Sequence, residues 1–215
     1  MKKYYLFDFD GTLVDSLTYW REAGHDYLIE HNLKPADDFY EVTKPMGYAE
    51  MSVYYKELYN IDVTFEELRN FEREVMRRHY KSDVKLTPGA RQTIERLKKE
   101  GCTLAILTFT ESSLVREYLE NAGLLDYFEF ILSGADTHLS KTEKEIYYKG
   151  LDMLGVGAKD VVYVEDSLFA LRVANSVGME TVGVYEKVDS ADAPECKKEA
   201  TFYINSFLEF DETKY

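Results

Sequence analysis

The chain reads as an α/β protein: a doubly wound, mainly parallel, Rossmann-like sheet carrying an inserted α-helical domain. Three observations predict this. Six short apolar runs punctuate the 215 residues, and most are continuous rather than alternating, as parallel strands covered on both faces should be. Helical segments separate the second to fifth of these runs. The stretch that follows the first run is instead helical in pattern throughout.

The expected strands are Tyr4–Phe9, Thr103–Thr108, Phe128–Leu132, Val161–Glu165, Thr181–Val184 and Phe202–Ile204. After the first come three helical patterns, Ser16–His31, Tyr48–Tyr59 and Phe65–Tyr80, the last with Thr64 and Glu67 spaced as a capping box. Thr87-Pro88 reads as a cap and first-turn proline opening the next helix, which Gly101 follows. Glu111–Ala122 closes at Gly123, and Ser167 to Val177 closes at Gly178. Thr142-Glu143-Lys144-Glu145 reads as a second capping box, for a helix ending at Gly155. The expected domains are therefore a core of 1–14 and 87–215 and a helical insert of 15–86.

Size and charge narrow the function. At this mass about 70% of the unfolded surface is buried on folding, enough for a core without metal or disulfide staples. There are 26 basic and 40 acidic side chains, a formal net charge of −14. Such a surface repels nucleic acid and anionic membranes, so neither is expected as a partner. An acidic protein that binds a phosphorylated molecule needs a local positive site, usually with a metal ion. Cys102 and Cys196 show no metal or redox spacing. Asp8 and Asp10 interrupt the first apolar run well short of a signal sequence. A reducing, cytoplasmic setting and a monomer or weak dimer are the expectations.

The chemistry-bearing residues gather at strand ends. Asp8 and Asp10 lie two apart at the end of the first run, so an extended backbone aims both to one side. Two carboxylates about 5 Å apart repel by ~3 kcal/mol at an effective dielectric of about 20, which raises a pKa or recruits a cation. The alternative reading is a surface Asp-Gly turn. A calcium loop starting at Asp8 fails at Thr12, Leu13 and Tyr19. Thr108 ends the second strand, Glu165-Asp166-Ser167 the fourth, and Lys141 precedes a helix. Singly, these read as a satisfied hydroxyl, a helix cap and a solvated cation. Four acids, a hydroxyl and a lysine at strand ends or adjacent loops, where open α/β sheets bind ligands, argue for a site.

Asp8-Phe9-Asp10-Gly11-Thr12, Thr108, Lys141 and Glu165-Asp166, in that order, resemble the four motifs of the haloacid dehalogenase-like hydrolases. The helical insert after the first motif matches the position of that family's cap domain. Closest in style are the phosphatases and mutases grouped with β-phosphoglucomutase, although Thr142 stands where their pattern usually has proline. The resemblance implies a Mg²⁺-dependent phosphatase acting on a small phosphorylated metabolite, a sugar phosphate first. Asp8 would be the nucleophile that forms an aspartyl-phosphate, and Asp10 the general acid and base. Asp8, the Asp10 carbonyl, Asp166 and Glu165 would hold the metal, and Thr108 and Lys141 the phosphoryl oxygens. A sugar-phosphate mutase is the alternative. Trp20 stands where the mutases carry a histidine and Glu50 where they carry an arginine, which favours hydrolysis. A non-catalytic phosphate-binding or regulatory protein is the third reading. Tyr19, Trp20 and Tyr48 are the cap's candidates for selecting substrate, with helix packing as the alternative in a chain of 18 tyrosines.

Overall fold

The structure, a computed structural model, describes residues 2–215. The described residues divide into two compact units, 2–15 with 85–215, and 16–84.

The first unit is built on one six-stranded sheet. β1 (Tyr4–Phe7) leads directly into the loop that carries Asp8 and Asp10. β2 (Thr103–Thr108), β3 (Phe128–Ser133), β4 (Val161–Glu165), β5 (Glu180–Val184) and β6 (Phe202–Ile204) follow in the order β3-β2-β1-β4-β5-β6. Every pairing is parallel. Chain order reverses between β1 and β4, so the crevice beyond their carboxyl ends is where such a sheet binds ligands.

Alternation along the strands decides what each face buries. Leu6 and Tyr163 belong to one core layer with Leu107, Leu132, Ile146 and Tyr147. Tyr5 and Phe7 point the other way, onto Phe207 and Phe210. Two residues past Leu6 and Tyr163, on their face, come Asp8 and Glu165.

The second unit holds four helices, α1 (Leu17–Glu30), α2 (Phe39–Thr43), α3 (Tyr48–Tyr59) and α4 (Phe65–Ser82). Its core is rich in aromatic rings: Tyr27, Phe39 and Tyr55 are buried with Leu28, Met51, Val63 and Leu68. The Thr64 box is formed, with Glu67 N–H donating to Thr64 Oγ1 at 3.2 Å and Thr64 N–H to Glu67 Oε2 at 2.9 Å. Among the described residues, no helix is long and apolar enough to cross a membrane.

The remaining helices of the first unit are α5 (Ala90–Lys99), α6 (Ser112–Ala122), α7 (Gly134–Thr137), α8 (Lys144–Leu154), α9 (Leu168–Val177) and α10 (Ala193–Glu199). Three sequence expectations are corrected. The first strand stops at Phe7 rather than Phe9, because the chain turns at Gly11 (φ +79°) to close a loop in which Val14 N–H donates to the Phe9 carbonyl at 3.0 Å. Thr87 does not cap α5; its hydroxyl bonds the Thr12 and Leu13 carbonyls at 2.8 and 3.2 Å, and Gly89 (φ +88°) makes the turn. A Cβ at Gly89 would lie 2.6 Å from the Leu208 amide nitrogen. Thr142 does not cap α8 either, since its hydroxyl pairs with Ser140 at 2.7 Å and the helix begins at Lys144.

Candidate active site

The centre of the site follows from strand register. Phe7 pairs with Val164, and Asp8 N–H continues the ladder to the Val164 carbonyl at 2.9 Å. The Asp8 side chain therefore lies beside those of Glu165 and Asp166, and one carboxylate oxygen from each falls within 4.8 Å of the others. Lys141 reaches into this group from the loop before α8. Its Nζ lies 2.7 Å from Asp8 and 2.6 Å from Glu165. Exposure is 4% for Asp8, 3% for Lys141, 0% for Glu165 and 4% for Asp166, so these charges share a desolvated pocket rather than a solvated edge.

The surroundings fix each group. Thr12 Oγ1 donates to Asp166 Oδ1 at 2.8 Å, and Ser167 N–H to Glu165 Oε1 at 2.9 Å. Tyr163 OH donates to the other Glu165 oxygen. Tyr147 OH donates to the Lys141 carbonyl at 3.0 Å, which ties the lysine loop to α8. The Lys141 ammonium also lies 5.7 Å from the Phe109 ring centre and 5.9 Å from that of Tyr163. Asp10 is half-buried in the next loop, with Oδ2 accepting from Thr110 Oγ1 at 2.6 Å. Thr108, buried at the end of β2, accepts the Thr110 N–H at 3.1 Å.

Electrostatics here are strongly coupled. Burial, then the Glu165 charge, pushes the Asp8 carboxyl up to about 7, against the pull of Lys141. Burial and the charges of Glu165 and Asp8 drive Asp166 well above the usual carboxylate range, opposed by the Thr12 hydrogen bond. For Lys141 burial favours the neutral amine, but Asp8 and Glu165 outweigh it and hold the ammonium protonated.

The donor set fits a hard divalent cation. It is all oxygen, with no thiolate or imidazole, as magnesium, calcium or manganese prefer. Three buried carboxylates face one ammonium, and a divalent cation would cancel the excess negative charge that now raises Asp8 and Asp166.

Position at strand ends and the family resemblance mark Asp8, Lys141, Glu165 and Asp166 as candidates, and the fold assembles them in one pocket with Asp10 and Thr108 in the neighbouring loop and strand end. Of the three candidates of the helical unit, Tyr19 and Trp20 lie together and Tyr48 lies apart from them. Tyr19 stacks on His79 at 4.4 Å, and Trp20 Nε1–H donates to Tyr80 OH at 3.2 Å, both at the end of α4. Tyr48 packs against the aromatic core and hydrogen-bonds Glu72, about two helical turns earlier along α4. Thr12, Thr110 and Tyr163 were not singled out as candidates. Tyr163 was legible, because it shares a strand face with Glu165; a lone threonine such as Thr110 carries no comparable signal.

Comparison with known proteins identifies the family. The family model of the haloacid dehalogenase-like hydrolases matches residues 5–184. A ribulose-1,5-bisphosphate 5-phosphatase from Halopiger xanaduensis is 32% identical over 54% of this chain, a match spanning 48% of that protein, about half its length. A phosphorylated carbohydrates phosphatase from Thermotoga maritima is 26% identical over 87% of this chain and 88% of its own. Among solved structures, a mutant of CbbY from Rhodobacter sphaeroides in complex with xylulose-(1,5)bisphosphate superposes with a TM-score of 0.82 at 22% identity, covering 97% of this chain and 96% of that one. The motifs, the sheet order and these matches agree that the chain belongs to the haloacid dehalogenase-like hydrolase family, in its phosphatase group, and is a phosphoric monoester hydrolase.

Proposed function

We propose that the chain is a Mg²⁺-dependent phosphatase that hydrolyses a small phosphorylated metabolite, a sugar phosphate first, through an aspartyl-phosphate on Asp8. The observation that carries this reading is the buried Lys141 ammonium held 2.7 Å from the Asp8 carboxylate. It is a fixed positive charge beside a nucleophile, where a transferring phosphoryl group gathers negative charge.

In this reading an Asp8 oxygen attacks phosphorus while the bond to the leaving oxygen breaks, and Asp10 gives that oxygen its proton. Asp10 then takes a proton from the water that attacks phosphorus, and inorganic phosphate leaves as the Asp8 carboxylate is restored. Thr108 and Lys141 hold the phosphoryl oxygens. Asp8, the Asp10 carbonyl, Asp166 and Glu165 would hold Mg²⁺, which supplies neutralisation of phosphoryl charge. The carbohydrate names of the relatives support sugar phosphates as the first class to test.

The helical unit, read as a cap domain, supplies selectivity, with Tyr19, Trp20 and Tyr48 as its candidates. Two of its side chains support hydrolysis over phosphoryl return to a bound sugar. Glu50 accepts the Gly47 N–H at 2.9 Å at the start of α3, and the Trp20 indole is bonded to Tyr80. Neither offers the cation that would anchor a second phosphate.

The test is phosphate release from a panel of sugar, nucleotide and small-acid esters, with and without Mg²⁺. The expected result is metal-dependent release from one class, abolished in Asp8→Asn. Unchanged release by Asp8→Asn overturns the mechanism.

A further inference from the structure

Thr110 has no role in the reaction as set out above, yet it joins the two groups that handle protons and phosphoryl oxygens. Its hydroxyl donates to Asp10 Oδ2 at 2.6 Å, and its backbone N–H donates to Thr108 Oγ1 at 3.1 Å. Thr110 is 6% exposed and Thr108 1%, so water competes weakly for either bond.

These bonds have chemical consequences. A hydroxyl has one proton, and Thr110 directs it at Asp10 Oδ2. That bond ties the Asp10 carboxyl to the loop that follows β2. Thr108 Oγ1, in turn, already accepts an N–H, which leaves its own O–H to donate to an incoming anion. A short hydrogen bond of this kind holds a side chain in one rotamer on a loop that would otherwise allow several.

We propose that Thr110 is a positioning residue for proton transfer: its hydroxyl orients the Asp10 carboxyl so that Asp10 delivers its proton to the leaving oxygen of the ester. This rests on the phosphatase reading and extends it to a residue outside the four motifs.

The test uses leaving groups. An alkyl alcohol departs only if protonated, whereas p-nitrophenolate departs without a proton. The parameter is kcat/KM, which reports steps up to departure of the leaving group. Thr110→Val keeps the shape and removes the hydroxyl; Thr110→Ser keeps the hydroxyl. Each is measured on p-nitrophenyl phosphate and on the alkyl ester of the panel that the wild-type enzyme turns over fastest.

In Thr110→Val, kcat/KM for the alkyl ester should fall about tenfold or more, a fraction of what general acid catalysis supplies. For p-nitrophenyl phosphate it should change less than about threefold, and Thr110→Ser should recover most of the alkyl activity. An equal loss on both esters, or no loss, overturns the positioning role while leaving the phosphatase reading intact. Failure of Thr110→Val to fold leaves the question to Thr110→Ser, which must then keep the wild-type ratio between the two esters; a changed ratio overturns the proposal. Absence of turnover of any alkyl ester by the wild-type enzyme overturns both readings together.

Discussion

At the residue scale the site is a problem of buried charge. Asp8, Glu165 and Asp166 crowd one pocket, and Lys141 offsets part of their repulsion. Protons and a divalent cation would therefore compete for the same oxygens. With Asp8 raised to about 7, affinity for Mg²⁺ should climb as pH rises from about 5 to about 8, with proton uptake by the buffer. Titration calorimetry in two buffers of different ionisation enthalpy measures both. A pH-independent affinity would mean that the carboxylates are not where the cation binds. Much of this was readable from residue order, since Asp8-Phe9-Asp10-Gly11-Thr12 and Glu165-Asp166 stand at strand ends. What residue order does not carry is the partner of each group. Thr12 on Asp166 and Thr110 on Asp10 join residues 154 and 100 positions apart, and only the register of the sheet brings them together.

At the element scale, one sequence pattern had two outcomes. Thr64 to Glu67 and Thr142 to Glu145 have identical spacing, yet only the first forms a capping box. The second fails because its neighbour Lys141 is drawn into the site and its carbonyl is held by Tyr147, while Ser140 occupies the Thr142 hydroxyl. A buried, ion-paired lysine thus overrides a local helix signal. Thr87 is overruled in the same way, since its hydroxyl braces the carbonyls of the loop that carries Asp10. The helical unit contains its own exception. Glu72 is buried on α4, and burial pushes its carboxyl up to about 8, partly offset by a hydrogen bond from Tyr48. A raised folded-state value means that the unfolded chain ionises first, so stability falls as pH rises from about 4.5 to about 8. Glu72→Gln should remove that loss. Denaturant titrations should show the variant about 1–3 kcal/mol more stable than wild type at pH 8, with the gain shrinking towards pH 4.5.

At the scale of the whole molecule, the net charge of −14 sets the approach of any anionic substrate. The surface repels a phosphate ester over roughly the Debye length, about 30 Å at 0.01 M salt and about 10 Å at 0.1 M. Raising salt between those values at saturating Mg²⁺ should increase kcat/KM a few-fold while kcat stays constant. A fall in kcat/KM would mean that a positive field, rather than the acidic surface, governs encounter. The same scale explains the extent of sequence legibility. Continuous apolar runs gave away the parallel sheet, which is six-stranded and ordered β3-β2-β1-β4-β5-β6. The short helices α2, α7 and α10 have too few residues for an apolar period to stand out, so packing rather than pattern defines them.

The central claim is a covalent bond between Asp8 and phosphorus. The most direct measurement is an acid-quenched single turnover with an ester carrying a radiolabelled phosphoryl group, followed by peptide mapping. The account predicts label on the peptide containing Asp8, released by hydroxylamine as an acyl phosphate is, and absent in Asp8→Asn. Label on another residue, or label that persists in Asp8→Asn, would contradict it.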